Sequence, residues 1–330
     1  MRCLTLALQA RARGITTEFV CRDLPGHISH VITEQRFNVH LLPQHDGLPT
    51  YWQQDAKETI EKLAGAAVNW LIVDHYGINA HWEALLRPYA THVCVIDDLA
   101  NRAHDCDVLL DQNYHPAGTH RYDTLLPAAC VKLLGPHHVL LREEFHRVRK
   151  GLQRRISDVR RILVNFGGTD EANLTGLAVG ALQSLQLKGV TADVVIGATN
   201  PNRVRLEHQI ATDERFRMHV QTTNMADLIA AADLAIGACG ATTWERCYLG
   251  LPSMGLVLSD NQRDTARQLA KAGIIYNMGE TATITQYLLA ESIAKLIENQ
   301  AARKALSENS LALLPQRVPD LASLMLENEN

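Results

Sequence analysis

The sequence predicts an α/β protein of two halves, each alternating strands and helices so as to build a parallel sheet. Short apolar runs end abruptly in polar or glycine-rich clusters, and helical spacing fills the stretches between them. After a charged, core-poor segment at 141–161, LREEFHRVRKGLQRRISDVRR, the alternation restarts. The 330 residues, 46% of them hydrophobic, suffice for two domains with their own cores. We place the division at 1–150 and 151–330, with 141–161 as a solvated linker.

Residues 3–12 carry helical spacing, so the chain opens in a helix with no strand before it. A strand at 16–21, a turn through RDLPGH, a helix at 27–35 and a strand at 38–42 follow, then a helix at 55–66. The run 70–73 ends in Asp74-His75-Tyr76-Gly77, the run 92–96 in Asp97-Asp98, and the run 107–110 in Asp111-Gln112-Asn113. One acidic residue after a strand is ordinary turn chemistry; three such clusters at one sheet edge suggest a ligand-facing rim. The second half repeats the plan with a strand at 162–166, the turn Gly167-Gly168-Thr169-Asp170 and a helix at 171–185. Strands at 193–196 and 217–220 and a helix at 225–231 come next, and beyond 285 the chain reads as amphipathic helix broken at Pro315 and Pro319.

The stretch 234–261 organises the second half: a buried strand, a turn through Gly237, Cys239 and Gly240, then a helix entered at Thr242-Thr243 and closed at Gly250. Such a turn presents backbone N–H groups and two hydroxyls to one point, which suits an anion. Glu245 would oppose a bare phosphate, but its carboxylate can accept from the paired hydroxyls of a ribose. Phosphate plus ribose means a nucleotide. The alternative is that Thr242 and Glu245 form a capping box, whose spacing they share. The turn at 167–170 lacks the lysine of a P-loop and the third glycine of a dinucleotide fingerprint, which disfavours ATP hydrolysis and NAD binding.

A net charge of −4 leaves no basic footprint for nucleic acid. No run of about 18 apolar residues is present, so no membrane span is expected, and we read the protein as cytoplasmic. Seven scattered cysteines without a C-x-x-C pair look like reduced core residues, and neither they nor the 15 histidines outline a metal site. No cofactor is expected.

Together VDHYGI (73–78), IDDLA (96–100), LLDQN (109–113), LLREEF (140–145), NFGGTDEANLT (165–175), the segment 237–252 and DNQ (260–262) resemble the UDP-2,4-diacetamido-2,4,6-trideoxy-β-L-altropyranose hydrolases of pseudaminic acid biosynthesis, the PseG family. The resemblance covers nearly the whole chain. The Thr-Glu helix alone would suit any GT-B transferase, MurG-like ones included.

The resemblance implies a GT-B-like pair of facing Rossmann-like domains with parallel sheets, the first strand of the N-terminal domain missing. It implies a UDP-sugar substrate, metal-independent hydrolysis with inversion, and a monomer. Gly167, Gly168, Thr169, Asp170, Thr242 and Thr243 would approach the pyrophosphate and Glu245 the ribose, with uracil near 196–198 and 221–225. Asp74, His75, Asn165, Asn173 and Gln262 complete the expected substrate-binding set, with Tyr76 and Asn261 as the catalytic pair near the sugar. The family's base is a histidine in a G-x-G-H loop, which has no counterpart here. A start site about two dozen residues upstream would explain this, and an in-frame stop just before Met1 in the coding DNA would refute it. His75 is the nearest substitute base, its ordinary reading being a local hydrogen bond or support for Asp74. Two alternatives stand beside hydrolysis: a glycosyltransferase on the same scaffold, and a UDP-sugar-binding chain without turnover.

Overall fold

The alternating runs become two sets of parallel strands, in a computed structural model that describes residues 1–44, 52–63, 65, 67–116, 118, 120–315 and 321–327. Positions 64 and 66 of the third expected helix, and the expected break at Pro319, lie outside the described residues. The chain divides into Met1–Arg142 joined by the last helix, and Glu143–Val318.

The first unit opens with α1 (Arg2–Arg11), followed by β1 (Glu18–Arg22), α2 (Ser29–Glu34), β2 (Asn38–Leu42), α3 (Trp52–Leu63), β3 (Val68–Val73), α4 (Ala80–Leu86), β4 (Ala90–Ile96), β5 (Val108–Asp111) and β6 (Val131–Leu134). Its strands form two separate parallel sheets, β1–β2 and β3–β4–β5–β6, and among the described residues no strand joins them. The helix α1 serves both. Leu4 and Ala7 pack with Ile32 and Phe37 beside β1–β2. Leu6 and Ala10 pack with Cys94, Ile96, Val108 and Leu110 of the larger sheet. A helix apolar on two faces is what a chain needs to cover two sheets at once.

The second unit runs α5 (Glu143–Gly151), β7 (Arg161–Asn165), α6 (Leu174–Ser184), β8 (Thr191–Ile196), α7 (Arg203–Ile210), β9 (Phe216–Val220), α8 (Met225–Ala231), β10 (Leu234–Ala238), α9 (Thr242–Tyr248), β11 (Ser253–Val257), α10 (Asp260–Lys271), β12 (Tyr276–Glu280), α11 (Gln286–Glu298) and α12 (Gln300–Leu313). The terminal helix α13 (Leu321–Glu327) returns to the first unit, where Leu321, Ala322 and Met325 join the α1 core. The sheet order is β12-β11-β10-β7-β8-β9, all parallel. Relative to sequence this is 3-2-1-4-5-6, the doubly wound order whose direction reverses between its first and fourth strands. Every residue of β10 and β11 is buried, as parallel strands covered on both faces require.

The charged segment after Leu141 is not the solvated linker its composition suggests. Its first part is α5, which packs on α8 and α9 and buries Phe145 completely, a contact worth about 2 kcal/mol. The sequence-based division at 150/151 falls at the end of this helix. The helices α4 and α7 and the strands β6 and β12 come in addition to the elements expected.

Candidate functional site

In the doubly wound order, crossovers leave β7 and β10 in opposite directions, so a crevice opens at the carboxyl ends of those two strands. The two glycine turns sit there. Gly167 holds φ 95°, a left-handed conformation a side chain would resist. The turn after β7 closes onto the one after β8: Gly197 N–H donates to Gly168 O at 3.0 Å, and a Cβ on Gly197 would stand 2.6 Å from that oxygen. Gly168 and Thr169 remain exposed.

Their neighbours have local tasks. The Asp170 carboxylate accepts from Leu174 N–H and Thr175 N–H, at 2.9 and 2.8 Å, and so caps α6. Asn173 takes a left-handed conformation at the head of α6, its side-chain oxygen buried without a hydrogen-bond partner. Asn165 is buried, donates to Val195 O at 3.0 Å, and leaves its own side-chain oxygen unpartnered.

After β10 the alternative reading, a capping box of Thr242 and Glu245, does not form: the N-cap of α9 is Ala241, without a side-chain cap. Thr243 is only 1% exposed, and its hydroxyl donates to Ala238 O at 3.3 Å while accepting from Arg246 at 3.0 Å. Thr242 and Glu245 are half-buried, so of the two hydroxyls Thr242 is the accessible one. Asn261 and Gln262 lie in the first turn of α10. Gln262 accepts from Leu258 N–H at 3.1 Å, and its amide nitrogen would be 3.4 Å from a Cβ on Gly240, which places it beside the β10 turn. Asn261 accepts from Ser259 Oγ at 2.5 Å.

Sequence reasoning missed Arg246. Its guanidinium is 2% exposed beneath this turn, donating to Ala238 O at 2.7 Å, and a Cβ on Gly237 would stand 2.7 Å from it. An arginine within TTWERCY reads as a solvent-facing helix residue, and only the glycine inside the apolar strand, Gly237, hinted that something large lay alongside.

In the first unit, Asp74, His75 and Tyr76 follow β3 as expected. Arg2 of α1, absent from the sequence-based set, grips Asp74 at 2.6 Å and Asp98 at 3.1 Å. Tyr76, 49% exposed, donates to Asp98 at 3.3 Å. Asp111 accepts from Arg121 at 2.8 Å and Tyr122 at 3.1 Å, yet burial outweighs both and pushes its pKa up to about 6. Burial also lowers the pKa of His75, whose Nδ1 accepts from Gly77 N–H at 3.0 Å. That hydrogen bond puts the proton of neutral His75 on Nε2, a tautomer with no spare basic nitrogen for water. All seven cysteines are free, five of them buried. Among the described residues, no group of three or more His, Cys, Asp or Glu is placed to hold a metal ion, and no helix is long and apolar enough to cross a membrane.

The doubly wound second unit, with its glycine turns at the reversal point, has the fold of the GT-B proteins. The glycosyltransferase family 28 C-terminal domain matches residues 162–325, just under half of the chain and nearly all of its second unit. It is 28% identical over 217 residues, 66% of this chain and 76% of the relative, to the UDP-2,4-diacetamido-2,4,6-trideoxy-beta-L-altropyranose hydrolase of Campylobacter jejuni. It is 25% identical over 181 residues, 54% of this chain and 53% of the relative, to the spore coat polysaccharide biosynthesis protein SpsG of Bacillus subtilis, about half of whose length it spans. The crystal structure of MurG from Acinetobacter baumannii superposes with a TM-score of 0.63 over 99% of this chain and 95% of that one, at 15% identity, which speaks to the fold alone.

Proposed function

We propose that this chain binds a UDP-linked 2,4-diacetamido-2,4,6-trideoxy sugar and cleaves it to UDP and free sugar, in pseudaminic acid biosynthesis. The observation that carries the reading is the similarity to the Campylobacter jejuni hydrolase over 217 residues, combined with the paired glycine turns at the β7/β10 reversal. The exposed Gly168 and Thr169, the N–H groups of the β10–α9 turn and Thr242 hold the diphosphate. Their fixed donors stabilise the charge that grows on the leaving UDP, a role worth about 3 kcal/mol for a well-placed donor. Glu245 accepts from the ribose hydroxyls. Tyr76 and Asn261 act on turnover rather than on UDP affinity, and Asp170, Asn165 and Thr243 support the turns from behind.

The position of the His75 proton favours a second reading for this polypeptide, a UDP-sugar-binding protein without turnover, since the nearest candidate base has its basic nitrogen occupied. One assay separates these from a glycosyltransferase. The UDP-sugar is added without any acceptor, and thermal shift and UDP release are followed together. Release without acceptor supports hydrolysis, a shift without release supports binding alone, and release only when an acceptor sugar is supplied supports transfer. For Tyr76→Phe, hydrolysis predicts lost turnover with UDP affinity retained, and full turnover removes Tyr76 from the mechanism.

A further inference from the structure

Three arginines of the second unit, the half-buried Arg154 and the fully buried Arg246 and Arg303, have no ion pair among the described residues. Two of them are answered by carbonyls. Arg154 donates to the carbonyl oxygens of Ile229, Ala230, Ala232 and Leu249 at 2.6–3.1 Å. Arg303 donates to those of Leu296, Ile297 and Ser157. Most of these oxygens belong to the last turns of helices, whose partial negative charge offsets a cation.

Arg246 has no such answer. It reaches one carbonyl, Ala238 O at 2.7 Å, and two hydroxyls, Thr243 Oγ1 at 3.0 Å and Thr242 Oγ1 at 3.5 Å, while its Nε is buried without a hydrogen-bond partner. A guanidinium out of water without an ion pair is costly, and burial lowers its pKa despite the nearby Glu245. The backbone is cut to fit it: at Gly237 a Cβ would stand 2.7 Å from Nη1. The hydroxyl geometry has a direction as well. Thr243 is spent, donating to Ala238 O and accepting from Arg246. Thr242 accepts from Arg246 at 3.5 Å and makes no donation to Ala238 O as Thr243 does, which leaves its hydroxyl hydrogen available to a ligand.

We propose that Arg246 is the positioning residue of the phosphate seat, supplying the buried positive charge that a diphosphate over the β10–α9 turn neutralises and fixing the Thr242 hydroxyl as a donor to it. This rests on the reading that the second unit binds UDP. The occupant is the phosphate part of the ligand, not the nucleoside, and that gives the proposal its own signature.

Isothermal titration of the full chain with UDP and, separately, with uridine tests it. Wild type should bind UDP. Arg246→Met should bind UDP roughly tenfold to a hundredfold more weakly, the span expected for losing a charge-assisted contact, with uridine affinity unchanged. Arg246→Lys keeps the charge but not the forked donation, and should recover part of the loss. If Arg246→Met binds UDP as tightly as wild type, or loses uridine and UDP alike, Arg246 is only a brace for the fold and the proposal falls. Should Arg246→Met fail to fold by circular dichroism, Thr242→Val carries the test: it should weaken UDP roughly tenfold and spare uridine, and unchanged UDP affinity overturns the proposal. Wild type that binds no UDP overturns the underlying reading instead, whatever the variants do.

Discussion

Where β3, β4 and β5 end, the first unit gathers Asp74, Asp98 and Asp111 and answers them with Arg2 and Arg121. Where β7 and β10 end, the second unit has glycines, hydroxyls and the buried guanidinium of Arg246, with no carboxylate in ion-pair range of that guanidinium among the described residues. Both units use parallel strands and both place polar groups at the same ends, yet one rim is anionic and internally neutralised while the other is cationic and left open. The difference teaches that topology fixes where a ligand can sit, and the residues set there fix its sign. On the proposed reading, a nucleoside diphosphate binds at the second rim.

The largest expected effect comes from filling the space beside Arg246. In Gly237→Ala the new Cβ would stand 2.2 Å from Asn165 O and 2.7 Å from Arg246 Nη1, one contact being rigid backbone. Urea unfolding should show a loss of about 3 kcal/mol or more, and a loss below about 0.5 kcal/mol would mean that the turn is loosely packed and the cationic rim poorly defined.

The anionic rim has a pH signature of smaller size. The folded pKa of Asp111, about 6, lies above its usual 3.8. Its contribution to stability is therefore fully present below about pH 4 and is lost as the pH rises through 6. Compared with Asp111→Asn, wild type should lose on the order of 2–3 kcal/mol between pH 4 and pH 7. Thermal unfolding of both proteins across that range measures the gap, and a gap that stays flat would show that Arg121 and Tyr122 outweigh the burial of Asp111.

Glu245, half-buried in α9, sharpens the comparison at the cationic rim. Glu245→Ala should weaken UDP binding by roughly tenfold through the lost ribose contact, with little change for inorganic pyrophosphate. Equal UDP affinity in a titration would make Glu245 a purely local part of α9.

The alternation of elements was legible because β-branched runs such as those of β3 and β4 and the buried β10 leave little choice of period. The strand β6 hides because two of its four residues, Val131 and Lys132, are exposed, and β12 because YNMGE reads as loop. The helix α5 hides because its charges mask the single anchor Phe145. At the site, the turns were legible from glycine and threonine, but their division of labour was not. Whether Thr242 or Thr243 faces outward depends on a partner eight residues from Ala238, and Asp170 shows its capping role only once α6 is seen to start at Leu174. Arg2 was unreadable for a similar reason, since its partners lie 72 and 96 residues away.

A crystal structure of the full chain soaked with UDP addresses the central claim most directly. The account predicts diphosphate density against the turns after β7 and β10, with Thr242 Oγ1 in hydrogen-bond range of a phosphate oxygen. Density at the carboxylate rim of the first unit, or empty turns at saturating UDP, would contradict it.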